Sequence, residues 1–341
     1  MRAILAGVLF TLAGAAVAAD EAPAAVEQPR SALPAAKATH ARLLGLAPAG
    51  GKLIAVGQQG LILQSSDGEH WQQMPSPVSS MLNRARFLDE HSGWIVGYDG
   101  AILGTHDGGQ SWKLLHYDAT GRALHDVLFL DAQHGIAVGA YGTVMLTADG
   151  GATWAAQASA LSDLSLHLNV ILKLRDGALL IAGEKGLLAR STDAGQNWQL
   201  LKSPYVGSWF GALPQGDKGV LVYGMRGNVY GNNDLTHAAP ETAASFDAPD
   251  REVPGHTSVL PPGWKAYPNE VHESLLGGTL LDAGHALLVG VNGVMTEADL
   301  SAGTLHPLKR LNDEPLADVA LLGQQRVVVG RRGVRKLGVQ P

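Results

Sequence analysis

The sequence predicts an all-β chain closed into a seven-bladed β-propeller with four-stranded blades. Three observations carry that expectation. A G-x-x-G hairpin signature recurs with first glycines at Gly57, Gly97, Gly139, Gly183, Gly224, Gly290 and Gly330, at steps of 40, 42, 44, 41, 66 and 40 residues. A repeat of about 40 residues built of short strands is the period of a propeller blade. Four copies then run into an Asp turn and a tryptophan: Asp67 with Trp71, Asp107 with Trp112, Asp149 with Trp154, and Asp193 with Trp198. Finally, 43 glycines in 341 residues, without a G-X-Y period, suit a chain full of tight turns. A repeat that runs through most of the length argues for one closed body.

The third copy, LHDVLFLDAQHGIAVGAYGTVMLTADGGATW, shows the unit. Residues 127–130 form an inner strand A and 136–138 strand B. Gly139-Ala140-Tyr141-Gly142 makes the hairpin, since glycine accepts the positive φ such turns demand. Strand C covers 143–147, and the Asp149-Gly150-Gly151 turn leads to Trp154 on outer strand D. The Asp carboxylate can accept backbone amides two or three residues on, and the tryptophan covers apolar surface between neighbouring sheets. These Asp boxes are therefore structural.

The segments SSDGEHW, THDGGQSW, TADGGATW and STDAGQNW resemble the Asp-box (BNR) repeats of sialidases and related propellers. Joined to the preceding V-G-x-x-G hairpins, they more closely resemble the photosystem II stability/assembly factor family, over roughly residues 40–338. That resemblance implies a non-enzymatic exported scaffold, without cofactor, that binds a newly made reaction-centre subunit at the membrane. In a non-photosynthetic bacterium the implied partner becomes an envelope transporter. Likeness to sialidases implies the alternative of a glycoside hydrolase. Those enzymes, however, carry a Phe/Tyr-Arg-Ile-Pro motif that is absent here, and hydrolysis needs two carboxyl groups at controlled separation. Asp126, Asp163 and Glu273 are available, but no pair stands out by spacing.

Two irregularities have an arithmetic reading. In copies two to four the Asp-to-Trp distance is 5 residues, whereas Asp234 precedes Trp264 by 30. The excess of 25 matches the excess in the glycine step, so an insertion lies in the C–D turn of blade five, within 235–263. Its acidic residues and prolines predict an exposed, mobile loop. Copy seven, in turn, ends at Pro341 with no room for strand D. Residues 31–37 are therefore expected to supply it, closing the ring and removing open edges.

The first 19 residues read as a secretory signal peptide and 20–30 as a flexible Ala/Pro-rich segment, leaving 31–341 as the propeller. This predicts a periplasmic protein, or a thylakoid-lumen protein in a photosynthetic host. Cysteine is absent, which excludes disulfides, thiolate metal sites and cysteine nucleophiles. A net charge of −6 is too mild to imply a nucleic-acid partner, and the chain is expected to be a monomer. The basic run from Lys309 to Lys336 would suit an acidic partner or an anionic membrane surface.

The B–C hairpins and D–A connections of a propeller share one face, where side chains are not needed for packing. Tyr98, Tyr141, Arg226, Arg331 and Arg332 on the hairpin tips, with Tyr205 and Trp209 on the connection into blade five, form a candidate protein-binding patch. His40, His125, His167 and His272 fall at the starts of inner strands. Their uneven offsets to the next glycine argue against a metal site.

Overall fold

A computed structural model describes residues 29–119, 121–247, 259–311 and 313–338. The proposed signal peptide and most of the segment after it lie outside these residues. The described chain forms seven antiparallel sheets in sequence order, six of four strands and the last of three. The inner A strands are Leu43–Ala49, Leu82–Phe87, Leu124–Phe129, Leu168–Lys173, Trp209–Gln215, Leu275–Leu280 and Leu316–Leu322. Each B strand ends on the first glycine of its copy.

The repeat of that glycine has a steric cause. A Cβ on Gly57, Gly97, Gly139, Gly183, Gly224, Gly290 or Gly330 would lie 2.0–2.3 Å from the carbonyl oxygen just before strand A of the same blade. Any larger residue would force strands A and B apart. A second constraint joins successive blades. A Cβ on Gly60, Gly142, Gly186 or Gly227 would strike the backbone of the connection to the next blade, at Val78, Leu161, Tyr205 and Val271. This places hairpins and D–A connections on one face.

The apolar faces of successive sheets pack against each other. One cluster joins blades four and five through Leu172, Leu180, Leu188, Trp209, Val222 and Tyr230. Another joins blade one to blade seven through Leu46, Leu53, Ala55, Ala320, Val327 and Val329. The ring thus closes by side-chain packing.

The expected closing strand is not observed. Thr39 does occupy the place of a D–A connection, against Gly333 of blade seven. Upstream of it, however, the chain turns onto blade one. Ala32 N–H donates to the Ser76 carbonyl at 3.0 Å. The Gln73 side chain accepts from Ala35 N–H at 2.8 Å and donates to the Leu33 carbonyl at 2.9 Å. Residues 31–37 hold no strand, and among the described residues blade seven keeps three. Pro34 removes a ladder donor from this segment, and Gln73 offers it an amide that substitutes for a neighbouring strand.

The first part of the blade-five insertion, residues 235–247, departs from the expected free loop, while residues 248–258 lie outside the described residues. Strands C and D of that blade, Val229–Asn232 and Trp264–Ala266, flank it. Its first part runs beside the outer strand of blade four. Lys202 N–H donates to the Ala239 carbonyl at 2.8 Å, and Glu241 N–H to the Leu200 carbonyl at 2.9 Å. Phe246, 3% exposed, then joins Ile136, Leu161, Leu187 and Leu200 between blades three and four. A buried aromatic anchor outweighs the polar composition that suggested mobility.

Each Asp box contains a member that the sequence reading did not count. A buried hydroxyl two residues before the Asp (Ser65, Thr105, Thr147, Ser191) donates to its carboxylate at 2.7–3.0 Å. The same oxygen accepts a glycine N–H of the turn. Asp149 accepts the hydroxyl and backbone N–H of Thr153, and Asp193 the backbone and side-chain N–H of Asn197. These bonds hold both carboxyls down at about 2, against an ordinary 3.8. A carboxyl lowered by folding stabilises the fold above its ordinary value, and that contribution disappears as pH falls through the folded value. The slope of stability between pH 4 and 2 is therefore expected to flatten in Asp149→Asn and Asp193→Asn. Acid titration of urea midpoints checks this, and a slope equal to that of the unaltered chain contradicts it.

The box tryptophans stand one residue short of strand D, not on it. Trp71, Trp112, Trp154 and Trp198 immediately precede Gln72–Met74, Lys113–His116, Ala155–Ala156 and Gln199–Leu200. The turn itself delays the strand. In each box the carboxylate takes the backbone N–H of the residue just before the tryptophan (His70, Ser111, Thr153, Asn197), so ladder pairing begins only after the ring. Each indole covers the joint to the preceding blade. Trp71 packs between blades seven and one, Trp112 between one and two, Trp154 between two and three, and Trp198 between three and four. Trp112 is buried and the other three are half-buried. Trp71 Nε1 donates to the Gly68 carbonyl at 3.1 Å, whereas the buried Nε1 of Trp112, Trp154 and Trp198 meets no acceptor among the described residues. Those three rings therefore act through apolar area.

Candidate functional site: the hairpin face and the hub

Six of the seven hairpin tips share one backbone conformation. Their second residue lies in the left-handed region: Gln59 at φ 55°, Asp99 at 57°, Tyr141 at 53°, Lys185 at 52°, Arg226 at 57° and Asn292 at 56°. This conformation favours glycine and asparagine and costs other residues about 1–2 kcal/mol. Tyr141 and Arg226 stand there nonetheless, with side chains in solvent. Tyr141 is 52% exposed and Tyr98, one blade earlier, 49%.

Around Tyr141 lies a small cluster of cationic and aromatic groups. The Arg122 guanidinium sits 5.4 Å from the centre of its ring and donates to the Tyr141 carbonyl at 2.9 Å. The His167 ring is 4.9 Å away, and His125 follows at 5.7 Å from His167. Burial pushes the His125 imidazole below its ordinary value. Two of the four strand-start histidines are thus neighbours. Among the described residues, no three His, Asp or Glu side chains converge as metal ligands.

Arg226 borders a groove of about 320 Å³ whose lining includes Tyr205, Tyr230, Tyr267, Val271 and His272. Arg331 and Arg332 reach into solvent from blade seven, both toward Glu314 at 3.8 and 2.9 Å. The sequence-predicted cations and tyrosines therefore share one face, spread over blades two, three, five and seven. Trp209 does not belong with them. It is fully buried between blades four and five, donates to Ser203 Oγ at 3.2 Å and meets Tyr205 and Tyr230 edge-on. The pattern YVGSWFG concealed this because Trp209 begins strand A, where Leu stands in the six other blades.

The hub holds charged residues that the sequence reading did not assemble. Arg86 grips Asp126 with two bonds of 3.0 and 2.9 Å, and Arg84 Nη1 reaches Asp318 at 2.9 Å. Asp126 also accepts from Ile171 N–H of blade four, and Asp318 from Leu46 N–H of blade one. Asp126 is fully buried, while Arg86, 44% exposed, meets solvent in the channel. Burial pushes the Asp318 carboxyl up, against the pull of Arg84. Burial opposes the charge of Arg86 as well, yet Asp126 holds its guanidinium above the ordinary value. Tyr223 passes over Gly211 toward these groups and lines a channel cavity of about 220 Å³ with Arg84, Arg86 and Asp318. Aligning the copies would have found the set: Arg84 and Asp126 both stand 13 residues before their blade's first glycine, and Asp318 stands 12 before Gly330.

Of the three carboxylates open to a hydrolytic reading, Asp126 is engaged by Arg86 and Glu273 by Arg310, while Asp163 lies on the short helix Ala160–Leu164. They stand in three separate segments. Among the described residues, no helix is long and apolar enough to cross a membrane.

The model of a family described as photosynthesis system II assembly factor YCF48 matches residues 63–121 and 114–208. The photosystem II assembly protein Ycf48 of Thermosynechococcus vestitus is 28% identical over 60 residues, 18% of this chain and 17% of that protein. The chloroplastic photosystem II stability/assembly factor HCF136 of Cyanidioschyzon merolae is 35% identical over 68 residues, 19% of this chain and 15% of that protein. The matched region is thus less than a fifth of either curated relative. The solved structure of YCF48 bound to D1 peptide superposes with a TM-score of 0.65 at 15% identity, covering 90% of this chain and 98% of that one. At that identity the superposition establishes the fold alone.

Proposed function

We propose that this Asp-box propeller, whose residues 63–208 match the photosystem II assembly factor family model, is a non-catalytic scaffold whose hairpin face captures an extended segment of a membrane-complex protein. The observation that carries this reading is the pair of left-handed tips at Tyr141 and Arg226. Packing does not require those side chains, and the backbone disfavours them, so their identity serves something outside the fold. Exposed Tyr and Arg are the side chains that most often anchor protein contacts. A solved propeller of similar fold carries a D1 peptide, which supports a membrane-protein segment as the partner class. The reading places the protein in the periplasm or a thylakoid lumen, as a monomer.

Arg226, Arg331 and Arg332 supply the charge for that capture. Changing all three to Glu is expected to leave the thermal transition close to that of the unaltered chain, because each lies on an exposed tip. Affinity for D1 peptide, measured by calorimetry at fixed salt, should fall by more than about tenfold, equivalent to 1.4 kcal/mol. Undiminished affinity would remove these arginines from the contact. Failure of the unaltered chain to bind the peptide would remove the proposed partner.

A further inference from the structure

Blade seven presents an unfilled outer edge. Its last strand, Gly333–Lys336, has no fourth strand beside it among the described residues. Leu337 N–H donates inward to the Arg326 carbonyl at 2.8 Å, and the register sets Val328 opposite Arg335 and Val327 opposite Lys336. Antiparallel alternation then turns the backbone N–H and C=O of Val334 and Lys336 away from the sheet. No described backbone group bonds to them.

We propose that this edge receives an acidic, extended segment of a partner protein as the missing fourth strand. Two features fit that occupant. Val334, Leu337 and Leu322 are only half-buried, each packed against the core from one side. In blades one and four an outer strand brings its own buried residue to its sheet, Met74 and Leu200, each 7% exposed. An incoming strand would likewise need an apolar side chain at alternate positions. The surrounding charge selects its other face. Arg326, Arg335 and Lys336 outnumber the carboxylates that pair with them, Glu297 and Glu69. Arg335 has no carboxylate partner among the described residues. Basic edges repel one another, so a second copy of this strand is a poor occupant, while an acidic segment is attracted. This surface is separate from the hairpin-tip contact and stands without it.

The test uses the full chain and a short acetylated peptide of alternating Val and Glu. Hydrogen exchange at Val334 and Lys336 is expected to slow by roughly tenfold on saturable binding. A peptide N-methylated at alternate amides, or one of Val and Lys, should give no protection. Val334→Pro removes an outward N–H while keeping the inward ladder, and should abolish binding. Arg335→Glu should weaken the acidic peptide. Equal binding of the N-methylated peptide would reduce the effect to charge attraction and overturn the proposal. Absent binding would overturn it as well. So would protection of Val334 and Lys336 in the peptide-free chain, whether from residues 1–28 or from a dimer seen by sedimentation. Retention of D1 peptide binding by Val334→Pro separates this outcome from failure of the hairpin face.

Discussion

Replacing Asp126 with Ala is expected to destabilise the propeller by about 3–5 kcal/mol. The carboxylate is fully buried and accepts two bonds from Arg86, together with N–H groups of Val127 and Ile171. Its loss leaves the buried N–H groups of Val127 and Ile171 without their carboxylate acceptor, and takes the counter-charge from Arg86, whose guanidinium keeps contact with channel solvent. Burying an ion pair is expensive in itself, so the pair need not make the fold more stable than an apolar pair would. What the variant measures is the penalty of leaving one half alone. Asp126→Asn should cost less, because its amide oxygen can still accept from a backbone N–H. Arg86→Met with Asp126→Leu should recover much of the loss. Urea unfolding with an unchanged slope checks all three. A loss under about 1 kcal/mol for Asp126→Ala would mean that the hub rearranges around the gap.

Trp209→Ala is expected to cost a similar 3–5 kcal/mol, by emptying a fully buried indole from the joint between blades four and five. The indole is fully buried, and its removal also deprives Ser203 Oγ of a donor. Trp209→Phe should cost less, since it keeps most of the apolar contact. Molecules that remain folded should bind D1 peptide as the unaltered chain does. Peptide affinity lost in parallel with intact stability would instead return Trp209 to the recognition surface.

The blade count and the Asp boxes were legible because each rests on a local rule. A glycine 2.0–2.3 Å from where a Cβ would meet a carbonyl leaves an unmistakable repeat, and so does an Asp whose turn needs its oxygen. The exposure of Tyr98, Tyr141 and the three arginines followed from their place on hairpins. Strand limits were blurred where a turn competes for the backbone, so Trp71, Trp112, Trp154 and Trp198 fall just ahead of strand D. Harder to read were contacts between distant segments. Composition suggested that residues 235–263 would be free, but in the described first part Phe246 finds a socket between blades three and four. Spacing directed residues 31–37 to blade seven, but Gln73 captures them on blade one. The hub pairs join blades two, three and seven, and only an alignment of the copies brings Arg84, Asp126 and Asp318 to one level.

The shared left-handed turn at six tips gives the rim a grammar of its own. Gln59, Asp99, Tyr141, Lys185, Arg226 and Asn292 leave the disc at a common inclination, like six sockets cut with a single tool. Exchanging one plug does not re-aim its neighbours. The face that the disc presents can therefore be rewritten one loop at a time, with no alteration to the frame.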